Sequence, residues 1–563
     1  MYSKYLKICQ NLIAPAIICC LLYILALGIG TMFGDTSTNL TRVTLDSKNL
    51  PVYFLKTAIR FITAIFCSII FAIIYATLAA KNKRIGKFLI PILDIFQSVP
   101  VIGYLSFTIT FFVTLFPNDI FGIELAAIFA IFTSQVWNII FSIYQSLITV
   151  PKDLYEVGRV YKLNSWKIFW IIELPFAIPG IVWNVILSMS ASWFFIVAQE
   201  VISVGDHNYA LPGMGTYIAL ALQQMDISAL IHAGFGIFCL IFLFNELLYK
   251  PLIAWSDKYR YEFNANSNRN NNSWFLYYIQ QSTVIDVVSS YIGRTCKSIL
   301  NFELPKIIAR RIKTLSIICE ILWWISISYG SVYIIMTIYR LCYGNIFYAD
   351  IGNALFYGTL TALRILALLT ICSLIWIPAG IYIGLRPNIA ARIQAITQFL
   401  TAIPANLYYP FFVTMIINYK LDPNIWLSLM LLVGAQWYIL YNVIGGAQSI
   451  PTELLEVSKI FKLSSFDKIF KIILPSIAPH YMAGVITAAG ASWNASIVAE
   501  IMHWGGNNIS ASGIGTYIAK STSEGNYPHI TLGIIVMCIF VITINRFVWK
   551  PLSTYISLRF RLE

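Results

Sequence analysis

The sequence repeats itself at an offset of 300 residues. Residues 151–175 match residues 451–475 without a gap, and each of these two segments begins and ends with proline. The same offset aligns two Ala-Ser-Trp triplets, which end at Trp193 and Trp493. A repeat of this length indicates a tandem duplication, so each half is expected to fold into the same unit around a pseudo-two-fold axis.

Further matches carry the duplication along most of the chain. At the offset of 300 residues, Glu200 aligns with Glu500, and two Gly-x-Gly-Thr-Tyr-Ile-Ala segments align from residues 213 and 513. Upstream, an offset of 304 residues aligns the pairs Arg60 with Arg364 and Pro100 with Pro404. Whatever the protein does, it therefore does with two similar halves.

The composition is that of a membrane protein. Hydrophobic residues make up 58% of the chain and charged residues only 11%, whereas a soluble domain carries roughly 25% charged residues. A helix of about 20 apolar residues crosses a bilayer. The sequence predicts an all-α polytopic membrane protein of two pseudo-symmetric six-helix halves, with twelve spans near 9–33, 51–80, 88–116, 124–148, 177–201, 228–249, 314–341, 353–385, 389–418, 424–447, 480–501 and 529–549.

The distribution of basic residues predicts the orientation of these spans. Lysine and arginine cluster at 81–87, 152–167 and 459–471, each just after a predicted span. By the positive-inside rule these loops are cytoplasmic, together with both termini and the middle of the chain. The net charge of +13 therefore indicates contact with anionic lipid headgroups rather than with nucleic acid.

The duplication also sets the domain boundaries. We predict a first half over 1–263, a cytoplasmic linker over 264–312 and a second half over 313–563. The region joining the halves begins with a polar, asparagine-rich stretch that has little to bury, followed by mixed aromatic and basic residues. The latter are expected to form an amphipathic helix on the membrane surface.

The loops at 151–175 and 451–475 are the most informative motif. Each has a proline, a helical stretch with an acidic residue, a turn, and a second short helix that ends at Leu-Pro. Ser165 and Ser465 are the expected N-caps of the second helices, and the closing prolines are expected to stop them. Two such helix–turn–helix projections are suited to docking into grooves on a cytoplasmic partner.

This pattern resembles the EAA loop of ABC-importer permeases, which reads E-A-A-x-x-x-G and, about a dozen residues later, I-x-L-P. In that family the loop is the coupling helix that docks into the ATP-binding subunit. The resemblance implies coupling roles for Glu156, Gly158, Lys162, Leu174, Pro175, Glu456, Ser458, Lys462, Leu474 and Pro475.

The loops depart from the motif where lysine replaces its glycine. If Lys162 and Lys462 must adopt a positive φ, each costs about 1–2 kcal/mol relative to glycine. Two readings stay open: the turn differs from that of the family, or the ammonium group meets an acidic group on the partner.

The resemblance extends over both halves and implies the type I ABC-importer transmembrane fold. The stretches that end at Glu200 and Glu500, the two Gly-x-Gly segments, and the Asn-x-x-x-Tyr/Trp-Lys-Pro-Leu near the end of each half are similar to the nitrate/sulfonate/taurine/bicarbonate branch. That branch implies a small inorganic or organic anion as the solute, two separate ATPase subunits and an extracytoplasmic solute-binding protein. The chain has no phosphate-binding loop and no metal-ligand spacing, so we expect ATP and magnesium only on the partner subunits.

Six residues within the spans are candidates for the solute pathway, and each has alternatives. Arg60 and Arg364 either attract an anion, snorkel to the interface or bond to neighbouring carbonyls. Glu200 and Glu500 form a gate or, preferentially, ion pairs with these arginines. Pro100 and Pro404 are expected to break the third span of each half, which either lines a cavity or is a simple packing kink.

Trp193 and Trp493, which lie one to two helical turns before the two glutamates, are further pathway candidates. Two other function classes remain open for the whole chain. A secondary transporter or channel with duplicated halves has no use for paired docking helices, and a membrane scaffold or sensor would leave the intramembrane charges unexplained.

Overall fold

The computed structural model describes residues 14–20, 43–98, 101–116, 120–204, 207–259, 273–300, 346–450 and 452–559, with a few more between 23 and 26 and between 325 and 340. The predicted spans at 9–33 and 314–341 therefore lie largely outside the described residues. So does Pro100.

Helices account for almost all of the described first half and linker. A short 3₁₀-helix, Ser47–Asn49, leads into the long helix Leu50–Lys81. The further α-helices are Lys83–Ser98, Val101–Leu115, Ile120–Ile148, Lys152–Val160, Ser165–Ile168, Leu174–Phe194, Ile196–Glu200, Met214–Gln223, Ile227–Phe244, Lys250–Ser256, Trp274–Gln281 and Thr283–Leu300. The last two lie where the sequence predicts an amphipathic segment.

The second half repeats this order. Its α-helices are Tyr348–Gly384, Pro387–Thr401, Tyr409–Tyr419, Pro423–Trp426, Ser428–Gln448, Thr452–Ile460, Ser465–Lys468, Leu474–Ala499, Ile514–Ser523, Tyr527–Ile544 and Lys550–Arg559. Short 3₁₀-helices lie at Asp257–Tyr259 and Ala405–Tyr408.

Eight helices among the described residues are long and apolar enough to cross a membrane. They correspond to the second, fourth, fifth and sixth predicted spans of each half. The third span of the second half is broken, because Pro387–Thr401 and Tyr409–Tyr419 are separate helices with Pro404 between them. The predicted all-α polytopic membrane class is confirmed.

Each half also contains a short β-hairpin that the sequence analysis did not predict. The strands Val201–Val204 and His207–Ala210 pair antiparallel, as do Ile501–Trp504 and Asn507–Ser510. Each hairpin directly follows the glutamate at position 200 or 500. The hairpins return the chain so that the Gly-x-Gly segments lie beside these glutamates.

Four π-helical turns interrupt the helices at equivalent places, at Phe169–Glu173, Asn245–Tyr249, Ile469–Ile473 and Asn545–Trp549. A π-turn inside a helix is rare and often marks a functional segment. The two halves have thus kept the same local irregularities.

The chain clusters into two compact units. One comprises Met1–Ala26, Ser142–Trp183 and Phe244–Tyr348, and the other comprises Leu27–Phe141, Asn184–Leu243 and Ala349–Glu563. The division into two halves and a linker stays a prediction from the sequence. The first loop and the described linker helices belong to the first unit. The arginine clusters, the second loop and the cavity described below belong to the second.

Candidate functional site

The first arginine cluster consists of Arg60, Glu124, Glu200, Thr57 and Gly215. The Arg60 guanidinium is fully buried and donates from Nε and Nη2 to the two oxygens of Glu124, at 2.7 Å each. Its Nη1 donates to Glu200 Oε1 at 2.7 Å. One buried cation is thus held by two buried carboxylates, an arrangement in which loss of a partner is costly.

Glu200 joins this cluster to the chain that follows the hairpin. Its Oε1 also accepts from the Thr57 hydroxyl at 2.7 Å, and its Oε2 accepts from the Gly215 backbone N–H at 2.6 Å. The Thr57 hydroxyl in turn accepts from the Met214 N–H at 3.0 Å. The carboxylate therefore fastens the helix Leu50–Lys81 to the beginning of the helix Met214–Gln223.

The second arginine cluster consists of Arg364, Glu500, Thr361 and Gly515. Arg364 Nη1 donates to Glu500 Oε1 at 2.6 Å, and the Thr361 hydroxyl donates to the same oxygen at 2.7 Å. The Gly515 N–H donates to Glu500 Oε2 at 2.8 Å. The side chain of Arg364 is 12% exposed, whereas that of Arg60 is not exposed at all.

The two clusters differ at a pair of equivalent positions. Asn424 stands in the second half where the first half has Glu124, and its Oδ1 accepts from the Ser512 N–H at 2.8 Å. The position equivalent to Ser512 is Pro212, which has no N–H to donate. In the first half the acidic side chain instead bonds to Arg60, so that the clusters carry two carboxylates and one carboxylate, respectively.

The ion pairs that the sequence favours between these arginines and glutamates are formed. Arg60 has no exposed surface and bonds to two carboxylates, so in this conformation its charge is not available to a passing anion. A pathway role for the arginines stays a prediction. In this structure both arginines form ion pairs with the glutamates.

The loop helix Lys152–Val160 ends in a Schellman motif. The Leu163 N–H donates to the Gly158 carbonyl at 2.9 Å and the Lys162 N–H to the Arg159 carbonyl at 3.0 Å. Lys162 adopts a φ of 51°. Glycine is the usual residue at this left-handed position because it has no Cβ.

The second loop ends in the same way, with bonds from Leu463 to Ser458 and from Lys462 to Lys459, and with Lys462 at a φ of 47°. The reading that lysine marks a different turn is therefore wrong. The turn is the one that glycine favours, and both lysines adopt it at a cost of about 1–2 kcal/mol.

Two details of the predicted loop are wrong. The N-caps of the second helices are Asn164 and Ser464, whose side chains accept from the N–H of the third residue beyond them, rather than Ser165 and Ser465. The caps thus lie one residue before the predicted ones, so Ser165 and Ser465 are the first residues of the helices.

The Leu-Pro pairs do not end the second helices either. The chain continues through a π-turn into the membrane helix, and the Leu174 N–H donates to Phe169 five residues back. The Leu474 N–H donates to Ile469 in the same way. The wide turn lies just before Pro175 and Pro475, which cannot donate a helical hydrogen bond.

The loop residues divide into buried and exposed sets. Gly158 is buried, and a Cβ there would lie 3.1 Å from Ile172 Cδ1, while Ser458 is only 3% exposed. Their small size lets the two helices of each loop pack closely, with Gly158 in the first loop and Ser458 in the second. Glu156, Glu456, Lys162 and Lys462 are exposed, and Leu174, Pro175, Leu474 and Pro475 are half-buried.

The tip of each loop exposes apolar side chains next to the lysine. Val160 and Tyr161 are 79% and 74% exposed, and the equivalent Ile460 and Phe461 are 76% and 72% exposed. A patch of exposed apolar residues with polar neighbours is typical of an interaction surface. Both loops present the same chemistry, namely a bulky aliphatic residue, an aromatic ring and an ammonium group.

We expect Lys162→Gly and Lys462→Gly each to raise the free energy of unfolding by up to about 1 kcal/mol, because glycine adopts the left-handed turn without strain. Thermal unfolding of the solubilised chain measures this. Lys420, at a φ of 51° outside the loops, provides the control Lys420→Gly, which should give a similar gain. A loss of stability in the loop variants alone would contradict the strain account.

A cavity of about 130 Å³ lies within the second unit and is lined from both halves of the sequence. Four pairs of equivalent positions contribute to its lining. They are Ser134 and Gly434, Asn138 and Tyr438, Phe194 and Asn494, and Phe195 and Ala495. The cavity therefore lies where two duplicated halves meet, the position expected of a solute site.

The remaining pathway candidates fall unequally around this central cavity. Both tryptophans are buried, at 1% and 2% exposed, but Trp493 contributes to the cavity lining, whereas Trp193 stacks on Phe61 with ring centroids 3.8 Å apart and does not line the cavity. Pro404 is buried at the break and does not line the cavity, but Thr401, the last residue of the helix before that break, does. Pro100 lies outside the described residues.

Comparison with known families agrees with this arrangement. The model of the family "Binding-protein-dependent transport system inner membrane component" matches residues 54–249 and again residues 376–549, together more than half of the chain. The chain belongs to this family. It is a multi-pass membrane transport permease whose two matches coincide with the two repeats, so each repeat is one copy of the permease domain.

Individual relatives of this permease are distant. The bicarbonate transport system permease protein CmpB of Synechococcus elongatus is 27% identical over 199 residues, which is 35% of this chain and 68% of CmpB. The nitrate import permease protein NrtB of Leptolyngbya laminosa is 27% identical over 172 residues, which is 31% of this chain and 58% of NrtB.

A third relative carries a different solute in its name. The trimethylamine N-oxide transport system permease protein TmoV of Pelagibacter ubique is 26% identical over 227 residues, 40% of this chain and 29% of TmoV. The chain thus spans less than two thirds of NrtB and of TmoV.

Sequence reasoning missed several residues of the permease's polar clusters. Glu124 carried a signal, because an acidic residue near the start of an apolar span requires a partner. Thr57 and Thr361 open the repeated segments that contain Arg60 and Arg364, but a hydroxyl alone does not predict its acceptor. The pairing of Asn424 with Ser512 carried no signal in the sequence.

Proposed function

We propose that this permease forms the alternating-access solute pathway of an ATP-binding-cassette importer driven by separate ATPase subunits. The observation that carries the proposal is the pair of exposed loop tips at Tyr161-Lys162 and Phe461-Lys462. Each tip is held by a Schellman turn and by a buried small residue. An apolar and basic projection that occurs twice, once in each half, is suited to two equivalent grooves on a partner.

The partners follow from the same feature. Because both tips present the same chemistry, two copies of one kind of ATPase subunit would occupy them. ATP and magnesium would bind on those subunits, and an extracytoplasmic solute-binding protein would deliver the solute. This assignment places the loops, both termini and the linker on the cytoplasmic side, as the basic residues of the sequence indicate.

The solute is a small polar molecule on this proposal. The printed names of the relatives specify bicarbonate, nitrate and trimethylamine N-oxide for those proteins. The resemblance of the sequence implies a small inorganic or organic anion, in the range from nitrate and bicarbonate to a sulfonate or taurine. Competition among such solutes for uptake would decide between them.

The test is co-purification from the native membrane. We expect an ATPase with a phosphate-binding loop to co-purify with the wild-type chain and to be lost from Glu156→Arg/Glu456→Arg, because both glutamates are exposed on the loop helices. The control Glu524→Arg reverses an exposed charge outside the loops and should retain the ATPase. If no ATPase accompanies even the wild-type chain, the loops do not couple, and a secondary transporter or channel becomes the better account.

A further inference from the structure

Aromatic residues make up about a third of the lining of the central cavity. Seven aromatic side chains line it, namely Phe96, Trp137, Phe194, Phe195, Tyr438, Trp493 and Trp549. Phe96 and Trp137 stack with ring centroids 5.0 Å apart and planes 11° from parallel. The face of an aromatic ring carries partial negative charge, so such a lining attracts cationic groups and repels anions.

The polar groups of the lining are neutral. They are the amides of Asn138, Asn494 and Asn545 and the hydroxyls of Thr133, Ser134, Thr401, Tyr438 and Thr487. Of the described residues that line the cavity, none is charged. A bare anion would therefore lose its hydration without meeting an opposite charge, which is costly at a buried site.

A zwitterionic solute avoids both costs. A nitrogen that carries three methyl groups keeps its positive charge diffuse and favours aromatic faces, as in the recognition of choline and methyl-lysine. An oxide or carboxylate on the same molecule accepts hydrogen bonds from the amide N–H groups of the lining, whereas the hydroxyls of the threonines and of Ser134 already donate to backbone carbonyls of their own helices. The volume, about 130 Å³, accommodates a compact molecule, since one water requires roughly 10–15 Å³ by the same measure.

We propose that the central cavity binds a small zwitterion with a fully methylated nitrogen in preference to a bare inorganic anion. The proposal rests on the proposed function, because it assigns the solute class of that same pathway. The name of TmoV, a relative from the same family, includes trimethylamine N-oxide, a solute of this chemistry.

The experiment measures equilibrium binding of labelled trimethylamine N-oxide to the full chain in lipid nanodiscs, together with the partners that co-purify. We expect saturable binding that a tenfold excess of nitrate or bicarbonate does not displace. Displacement of the label by nitrate or bicarbonate would overturn the proposal, and so would the absence of binding. Co-purification of an ATPase is scored separately, so a permease that binds another solute is distinguished from a chain that is not a permease.

Variants identify the site. Trp549→Leu should weaken binding about tenfold, because a cation over tryptophan contributes about 1–2 kcal/mol when desolvated. The control Trp426→Leu removes a half-buried tryptophan that does not line the cavity and should bind normally. Equal binding by both variants would place the site elsewhere and overturn the proposal.

Adding a positive charge to the lining tests whether its neutrality excludes anions. Thr487→Lys adds a cation to the lining, so it should abolish binding of trimethylamine N-oxide and introduce binding of labelled nitrate. If nitrate binding stays absent in a variant that folds and retains its ATPase, the neutral lining is not what excludes anions, and the proposal fails.

Discussion

Arg60→Leu is expected to lower the free energy of unfolding by about 3–5 kcal/mol, because it leaves the carboxylates of Glu124 and Glu200 buried without their cation. Arg364→Leu should cost less, because only Glu500 loses a partner and the Arg364 side chain is already 12% exposed. Thermal unfolding of the solubilised chain, followed by tryptophan fluorescence, measures both. We expect Arg60→Leu to lose more stability than Arg364→Leu, although the two arginines align.

Two further variants make this expectation falsifiable. Arg546→Leu removes an exposed arginine and should change stability by no more than about 0.5 kcal/mol. Arg60→Leu combined with Glu124→Gln and Glu200→Gln should recover part of the loss, because the amides leave no buried charge. If Arg60→Leu is as mild as Arg546→Leu, the first arginine cluster does not contribute to stability as described.

Gly215→Ala and Gly515→Ala, at the second glycine of each Gly-x-Gly segment, should lower the free energy of unfolding by similar amounts. A Cβ on Gly215 would lie 2.5 Å from the Ile196 carbonyl oxygen, and one on Gly515 would lie 2.4 Å from the Ser496 carbonyl oxygen. Backbone atoms of a helix cannot move aside as a flexible side chain does. Overpacking of this kind costs about 1–3 kcal/mol, and more where the site cannot relax.

Gly506→Ala is the matched control, because a Cβ there would meet nothing within 4 Å. The measurement is again thermal unfolding, with Gly215→Ala and Gly515→Ala compared under the same conditions. If either variant is as stable as Gly506→Ala, the contact between the glycine and the preceding helix is looser than described. Equal losses of stability for the two glycine variants, together with unequal losses for the two arginine variants, would show that the glycine contacts are the same in both halves while the arginine contacts differ.

The features predicted correctly are those that repeat or that follow from hydrophobic length. Arg60 and Glu200 could be paired from the sequence because each has an aligned counterpart and a buried ion needs an opposite charge. The break near Pro404 followed from the missing N–H of proline. The membrane class followed from composition alone.

The features missed depend on tertiary context. The predicted fifth span ends at Val201, and only the return of the chain to Glu200 makes Val201–Val204 a strand of a hairpin. Lysine disfavours a positive φ, so Lys162 and Lys462 gave the opposite of the correct signal. The cavity could not be read from the sequence, because its lining comes from helices that are distant along the chain.

The second loop and the central cavity are connected by one helix. It runs as Ser465–Ala499 over 35 residues, about 50 Å at 1.5 Å per residue. It begins three residues after Lys462, and near its other end it carries Thr487, Trp493 and Asn494 of the cavity lining. The π-turn at Ile469–Ile473 keeps the backbone hydrogen-bonded between the loop and the membrane-spanning part, while Pro479 lies inside the helix and removes one hydrogen-bond donor there. A displacement at the loop would therefore reach the tryptophan and the amide along one continuous helix, with Pro479 as the point at which the two ends can bend relative to each other.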